Sequence, residues 1–197
     1  FKAEPKRPLI GIVSRLAEQK GFDIIKPALG QIMDLGVQFV VLGTGQPEYE
    51  EFFKEADKKY RDLRAFIRFD EALAHKIEAG ADMFLMPSRY EPCGLNQMYS
   101  MRYGTVPVVR RTGGLADTVT DYTPQRLKAG EATGFVFDEY EPEALFEAVR
   151  RAVALYTKEP KSWRKLMING MKKRFDWPRS AKEYMKLYEA AIEKRRS

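Results

Sequence analysis

The chain has 197 residues, which is enough for one domain of ordinary size with a real hydrophobic core. Hydrophobic residues make up 44% and charged residues 31%, a balance typical of globular rather than disordered proteins. No apolar run approaches the ~18 residues of a membrane span, so no membrane partner is expected. The net charge of +6 includes basic clusters at 172–174 and 194–196, near predicted helix ends. A solvated surface explains these clusters better than a polyanion-binding one, and no nucleic-acid partner is expected.

Cysteine and histidine are both scarce. The single cysteine, Cys93, excludes an internal disulfide and indicates a reducing compartment. No histidine lies near it in sequence, so a small buried thiol is favoured over a nucleophile. The single histidine, His75, falls in a predicted helix and is expected to be structural, at the surface or half-buried. A metal site of the usual ligand types is therefore not expected. The chain begins with Phe1 rather than Met, so we expect a piece of a longer protein.

Predicted strands alternate with predicted helices along most of the chain. The strands are expected at 8–13, 37–43, 65–69, 82–87, 106–109 and 134–137, and the helices at 21–33, 47–60, 71–80, from near 94, and at 141–156, 163–174 and 179–195. Strands that are almost wholly apolar and alternate with helices predict a Rossmann-like, parallel six-stranded sheet with helices on both faces. Residues 120–133 are expected to form an irregular surface loop. One sheet does not need three closing helices, so the last one is expected to pack on a neighbouring domain.

Two segments with small-residue turns carry the strongest functional signal. Residues 90–99 contain Glu91 and residues 111–115 contain Gly113 and Gly114, and each segment follows a predicted buried strand. Ligands bind at the carboxyl ends of parallel strands, and amides that open a helix favour phosphate. The carboxylate of Glu91 would repel phosphate but accepts hydrogen bonds from sugar hydroxyls. The pair predicts a ligand with phosphate at one end and sugar at the other. Alternatively, the negative charge of Glu91 is simply favourable at a helix N-terminus, and the glycines form an ordinary turn.

Three further loops contain candidate binding residues. Arg15 and Lys20 follow the first strand and could clamp a diphosphate, although this loop alone is better explained by solvated side chains. Gly43 begins a turn that either admits a ligand or simply ends the second strand. Phe69 could offer an aromatic face to a base, but core packing is the favoured interpretation of that residue alone. Neither the G-x-G-x-x-G nor the Walker A nucleotide fingerprint is present.

Together these segments resemble the C-terminal domain of bacterial glycogen synthases and plant starch synthases, which are two-domain glycosyltransferases of the GT-B fold. The resemblance covers nearly the whole chain and includes the Glu-Pro-Cys-Gly-Leu and Thr-Gly-Gly-Leu motifs. It is carried, in the family's order and spacing, by residues 15–21, 40–45, 87–97, 103–109 and 111–119.

The resemblance implies a role for each candidate residue. Arg15 and Lys20 would bind the donor's diphosphate, and Glu91 would hold hydroxyls of the transferred glucose. Phe69 would face the base. Tyr99 occupies the position where many related glycosyltransferases carry a second glutamate that reaches the ribose, so the ribose contact is left open. The implied substrate-binding residues are Gly43, Phe69, Cys93, Gly94, Leu95, Tyr99, Thr112, Gly113, Gly114 and Leu115.

The implied function is donor binding in a retaining, metal-independent glucosyltransferase that uses no cofactor. Such an enzyme transfers glucose from ADP-glucose, or UDP-glucose, to the non-reducing end of an α-1,4-glucan. An N-terminal domain missing from this chain would bind the acceptor. The expected location is the bacterial cytoplasm or the plastid stroma. A GT-B transferase for another acceptor, such as sucrose or a lipid-linked sugar, is disfavoured by Cys93 and Tyr99. A non-catalytic module that binds a nucleotide sugar or a polyanion is a further alternative.

Overall fold

A single parallel sheet forms the centre of the molecule. The structure, a computed structural model, describes residue 4 and residues 6–196. Within that part of the chain the strands are β1 Leu9–Val13, β2 Gln38–Leu42, β3 Leu63–Phe66, β4 Met83–Met86, β5 Val106–Arg110 and β6 Phe135–Phe137. They pair in the order β3-β2-β1-β4-β5-β6, and every pair is parallel. The predicted fold class is confirmed. Phe1, on which the expectation of a longer protein rested, and the side chain of Arg196 lie outside the described residues.

Helices connect the strands and close the chain. They are α1 Phe22–Asp34, α2 Pro47–Lys59, α3 Glu71–Gly80, α4 Asn96–Tyr103, α5 Gly113–Thr118, α6 Pro124–Ala129, α7 Pro142–Lys158, α8 Pro160–Lys172 and α9 Trp177–Arg196. The loop between β1 and α1 also contains a short 3-10 turn, Glu18–Lys20. No helix in residues 6–196 is long and apolar enough to cross a membrane.

Two predictions of local structure were wrong. The third strand starts earlier than predicted and ends at Phe66, so Phe69 lies beyond it. The segment 120–133 was expected to be irregular, yet it contains α6. Thr123 caps this helix by accepting a hydrogen bond from the Arg126 amide at 3.1 Å, and Gly130 ends it with φ 78°. A threonine cap followed by a proline in the first turn is a standard helix start, which the prediction overlooked.

Apolar side chains cover both faces of the sheet. All five residues of β2 are buried, as are four of the five in β5. One face packs against α1, α2 and α7 through a large cluster that includes Phe22, Phe53 and Leu145. The opposite face packs Val40 and Phe84 against Ile77 of α3. Burial on both sides explains why these strands are almost continuously apolar in sequence.

The strand order reverses beside β1. The chain passes from β1 outward to β2 and β3, and it then returns to place β4 on the other side of β1. The loops that leave the carboxyl ends of β1 and β4 therefore diverge and leave a crevice between them. In open α/β sheets this switch point is where ligands bind.

Candidate functional site

The loops after β1 and β2 are held together through their backbones. The Leu16 amide donates to the Thr44 carbonyl at 2.9 Å, and the Gln46 amide donates to the Leu16 carbonyl at 2.7 Å. A Cβ atom on Gly43 would lie 1.8 Å from the Ser14 carbonyl oxygen. Gly43 is therefore required by a close contact within the protein itself. This contact fixes the loop that carries Arg15.

The loop after β1 also abuts the loop after β4. Gly21, at φ 84°, follows the 3-10 turn, and a Cβ atom there would lie 2.2 Å from the Pro87 carbonyl oxygen. This approach places Lys20 Nζ 2.5 Å from Oε2 of Glu91. Ser88 Oγ donates to the same carboxylate oxygen at 3.2 Å. Two residues that are 71 positions apart thus form an ion pair at the switch point.

The two partners of this ion pair are mostly shielded from solvent. Glu91 is only 7% exposed, and the Lys20 side chain is 23% exposed. The interpretation of Lys20 as a freely solvated loop residue was therefore wrong, because its ammonium group is drawn to a largely buried carboxylate. The Arg15 guanidinium lies nearby in the same loop and donates to the side-chain oxygen of Gln19 at 3.2 Å.

The Thr112–Leu115 segment packs directly on the Glu91 loop. A Cβ atom on Gly113 would lie 2.1 Å from the Glu91 carbonyl oxygen, and one on Gly114 would lie 1.9 Å from the Cys93 carbonyl oxygen. The Gly114 amide donates to the Glu91 carbonyl at 3.0 Å, and the Leu115 amide donates to Thr112 at 3.1 Å. Both glycines are therefore needed for loop packing, and the structure brings the two predicted turns together.

A cleft extends from the ion pair across the carboxyl ends of β1 and β2. Its inner part has a volume of about 200 Å³ and is lined by Lys20, Glu91, Gly94 and Leu95 among others. An adjoining part of about 650 Å³ reaches Phe69 and Tyr99. The two parts share the lining residues Val13, Ser14, Arg15 and Asn96. Arg15 therefore lies where the inner and outer parts meet.

Phe69 and Cys93 are both exposed, so the predictions of burial from sequence alone were wrong. Phe69 is 89% exposed because β3 ends at Phe66, and Asp70 already caps α3 by accepting from the Leu73 amide at 2.9 Å. Cys93 is exposed because it lies in the turn between β4 and α4 rather than on an element that faces the core. Leu95 and Tyr99 are 50% and 45% exposed.

A polar cluster that sequence reasoning missed braces the Lys20 loop. The Tyr140 hydroxyl donates to the Asp23 carboxylate at 2.5 Å and lies 3.0 Å from the Glu18 carbonyl oxygen. Arg89 forms ion pairs with both Glu18 and Asp23. Burial, followed by the hydrogen bond to Asp23, raises the pKa of Tyr140 to about 12. Because Tyr140 and Asp23 are 117 positions apart, no local pattern could have paired them.

The helix α3 lines the outer part of the cleft through Glu71, Ala74, His75 and Glu78. His75 has a side chain that is 55% exposed, which agrees with the predicted surface position. Glu78 is only 3% exposed, and sequence analysis did not single it out. A glutamate in the last turn of a predicted helix gives no sequence signal of burial.

The similarity to known proteins covers almost the whole chain. Residues 1–169 match the family model described as glycosyl transferases group 1. The chain is 53% identical over 189 residues to a glycogen synthase of Pseudothermotoga lettingae, which covers 95% of this chain and 38% of that protein. It is 53% identical over 190 residues to a glycogen synthase of Thermosipho africanus, with 96% and 39% covered. This chain thus spans about two-fifths of the length of these relatives.

A solved structure agrees with the sequence comparisons. The catalytic domain of starch synthase IV from Arabidopsis thaliana, bound to ADP and acarbose, superposes with a TM-score of 0.86 at 36% identity. The match covers 98% of this chain and 40% of that one. The resemblance drawn from the sequence motifs is confirmed, and the chain belongs to the group 1 glycosyl transferases.

Proposed function

We propose that this chain is the donor-binding part of a retaining glucosyltransferase that extends an α-1,4-glucan. The donor is ADP-glucose, with UDP-glucose as the alternative. The observation that carries the proposal is the ion pair between Lys20 and the largely buried Glu91 at the switch point of the sheet. It puts a cation suited to phosphate next to a carboxylate suited to sugar hydroxyls, within one cleft.

The diphosphate of the donor would lie between Arg15 and Lys20. Arg15 lines both parts of the cleft, and Lys20 lines the inner part. Guanidinium and ammonium groups form the strong, charge-assisted hydrogen bonds that phosphate oxygens accept. These two cations would stabilise the charge that develops on the leaving diphosphate. Thr112 and the Gly113 amide would complete the proposed phosphate and glucose contacts. The Gly114 and Leu115 amides, which the resemblance also implied as donors to the ligand, instead donate to the carbonyl oxygens of Glu91 and Thr112.

The glucose would occupy the inner part of the cleft, against Glu91. A volume of about 200 Å³ suits a single sugar ring better than a whole nucleotide. Glu91 would accept hydrogen bonds from glucose hydroxyls, with the backbone at Cys93, Gly94 and Leu95 beside it. No side chain is assigned as a covalent nucleophile. We attribute the chemistry to stabilisation of charge rather than to a covalent enzyme intermediate.

The nucleoside would occupy the outer part of the cleft, near Gly43, Phe69 and Tyr99. The starch synthase neighbour is described as bound to ADP, and its similarity to this chain favours an adenine nucleotide. Phe69 offers an exposed aromatic face, and stacking on such a face tolerates any base. The aromatic contact therefore supports nucleotide binding without selecting adenine over uracil.

The acceptor site is assigned to a part of the protein that this chain does not contain. The relatives are more than twice as long as the segment that this chain matches. Helix α9 presents an exposed apolar face, which would pack on that further domain. The face is formed by Tyr184, Met185, Leu187, Tyr188 and Ile192. The enzyme would act in the bacterial cytoplasm, or in the plastid stroma in a plant.

Calorimetric titration of the 197-residue chain tests the proposal. We expect binding of ADP and ADP-glucose, weaker binding of UDP-glucose and no binding of duplex DNA. Tight DNA binding without nucleotide binding would support the polyanion-binding alternative instead. The isolated chain should not elongate glycogen, because closure of two domains excludes water from such sites. Glucosyl transfer by this chain alone would contradict the assignment of the acceptor site to another domain.

A further inference from the structure

A buried carboxamide on α4 connects the two turns of the site. Gln97 lies in the first turn of α4 and is fully buried. Its Nε2 atom donates to the carbonyl oxygens of Cys93 at 3.2 Å and Gly94 at 3.0 Å, and to Thr118 Oγ1 at 3.1 Å. The Thr118 hydroxyl donates in turn to the Gly114 carbonyl oxygen at 2.6 Å. One side-chain amide thus joins the turn after β4 to α5.

The two carbonyls that Gln97 holds determine where the following amides point. A trans peptide is planar, and its C=O and N–H groups point in opposite directions. Because the buried Nε2 atom binds the carbonyls of Cys93 and Gly94, the amides of Gly94 and Leu95 are turned away from it. Both residues line the inner part of the cleft, and within the described residues no group accepts a hydrogen bond from either amide. These amides are therefore available to a ligand.

The carboxamide of Gln97 contributes less to the stability of the fold than its hydrogen bonds suggest. Its Oε1 atom is buried and, in the part of the chain that the structure describes, accepts no hydrogen bond. Leaving a buried acceptor unpaired costs at least as much free energy as one hydrogen bond contributes. An apolar side chain of similar length would avoid this cost. The orientation of the neighbouring amides is therefore the better explanation of a glutamine at this position.

We propose that Gln97 is a positioning residue for the sugar part of the donor, an assignment that rests on the proposed function. Gln97 lines neither part of the cleft and acts by holding the turn that carries the Gly94 and Leu95 amides. Thr118 extends the same constraint to α5. The proposed diphosphate contacts, Arg15 and Lys20, lie on the loop after β1, to which the Gln97 side chain donates no described hydrogen bond. Loss of Gln97 should therefore affect ADP-glucose more than ADP.

Calorimetry with ADP and ADP-glucose, in the wild-type chain and in Gln97→Met, tests this proposal. Methionine keeps the length of the side chain but donates no hydrogen bond. A turn that adopts the binding conformation only part of the time weakens affinity by that fraction, and lost hydrogen bonds of about fivefold each predict a roughly tenfold loss for ADP-glucose. ADP affinity should stay within about threefold of the wild type. Equal losses for both ligands, or no loss for either, would overturn the proposal.

Ser100→Ala is the matched control on the same helix. Ser100 is fully buried and its hydroxyl donates to the Gln97 backbone carbonyl at 3.1 Å, so the variant removes a buried hydrogen bond without altering the turn. Both affinities should stay at wild-type values even if the melting temperature falls. If Ser100→Ala shifted the ratio of ADP-glucose affinity to ADP affinity as far as Gln97→Met does, general destabilisation would explain the shift and the proposal would be overturned.

Thr118 offers a pair of variants at a partly exposed position. Thr118→Val keeps the shape of the side chain and removes the hydroxyl, whereas Thr118→Ser keeps the hydroxyl. ADP-glucose affinity should fall in Thr118→Val and be retained in Thr118→Ser. This comparison decides the question even if Gln97→Met does not fold. Equal ADP-glucose affinities in the two Thr118 variants would overturn the proposal.

Amide hydrogen exchange without ligand separates this inference from the proposed function. The Gly114 amide donates to the Glu91 carbonyl oxygen at 3.0 Å and should exchange faster in Gln97→Met, while the amides of β2 keep their rates. Unchanged exchange at Gly114 would overturn the proposal. If the wild type binds neither ADP nor ADP-glucose, the proposed function itself fails. If it binds both and the ratio of the two affinities is unchanged in Gln97→Met, this inference alone fails.

Discussion

The guanidinium of Arg89 lies 4.6 Å from the centre of the Tyr140 ring. This contact joins the loop after β4 to the loop after β6. Arg110 lies 5.2 Å from the same ring centre. The Arg89 amide donates to the Gln19 carbonyl at 2.9 Å, within the 3-10 turn that ends at Lys20. Tyr140 thus helps to fix the separation between the two loops that carry Lys20 and Glu91.

Tyr140→Phe should weaken ADP-glucose binding although Tyr140 lines neither part of the cleft. The ring remains, but the hydrogen bond to Asp23 is lost, which should reduce the free energy of unfolding by about 0.5–1.5 kcal/mol. Calorimetry and denaturant unfolding measure the two effects. Tyr103→Phe, at a half-exposed tyrosine outside the cleft, is the matched control and should change neither.

The contribution of Tyr140 to stability should depend on alkaline pH. Its folded-state pKa is raised from 10 to about 12, so the folded protein favours the neutral phenol. The stabilisation is fully present below pH 10 and is lost as the pH rises through about 12. The difference in unfolding free energy between wild type and Tyr140→Phe should therefore shrink between these values. A constant difference would show that burial and the hydrogen bond to Asp23 do not raise the pKa of Tyr140 in the folded protein.

Lys20→Ala should reduce donor affinity by about 1.5–3 kcal/mol, the range for a hydrogen bond to a charged group. It should also lower the free energy of unfolding by about 1–3 kcal/mol, because the largely buried Glu91 carboxylate would lose its cation. The double variant Lys20→Ala/Glu91→Gln should regain the lost stability, but it should not regain the affinity for the donor. Lys26→Ala breaks an exposed ion pair with Glu48 and serves as the control. Unchanged affinity in Lys20→Ala would remove Lys20 from the phosphate site.

Glu91→Gln should distinguish sugar binding from nucleotide binding. The amide keeps the shape of the side chain but forms weaker hydrogen bonds with glucose hydroxyls, since charge-assisted bonds are roughly twice as strong. ADP-glucose affinity should fall, while ADP affinity should hold or rise because Lys20 is released to the diphosphate. Equal losses for ADP and ADP-glucose would mean that Glu91 only braces the loop.

Gly21→Ala should destabilise the chain far more than Gly36→Ala. Both glycines have positive φ, 84° and 75°, which costs a side chain about 1 kcal/mol. A Cβ atom on Gly36 meets no atom within 4 Å, whereas one on Gly21 collides with the Pro87 backbone. The additional loss of unfolding free energy in Gly21→Ala, measured by chemical denaturation, therefore reports the contribution of the loop contact at the switch point. Equal losses would mean that the two loops can separate without penalty.

The sheet was predictable from sequence because its strands are apolar along their whole length and glycine turns separate them from amphipathic helices. The motif residues were predictable because Glu91 and Gly114 lie in short segments with distinctive composition. The pairing of Lys20 with Glu91 was not predictable, since backbone contacts between loops that are far apart in the chain bring these two side chains together. Phe69 was misjudged because an aromatic residue after a strand has the same local pattern whether it faces the core or solvent. The burial of Glu78 depends on how α3 packs against α4, which no single segment encodes.

The ion pair between Lys20 and Glu91 also bears on competition from the many small anions of a cell. Inorganic phosphate that binds Lys20 would lie beside the like charge of the largely buried Glu91 carboxylate, and it would bring that carboxylate no sugar hydroxyls in return. In the proposed binding mode, a sugar nucleotide would bring replacement partners for both Lys20 and Glu91 at once. The cleft would therefore resist occupation by molecules that resemble only half of its proposed ligand, although two cations lie near its centre.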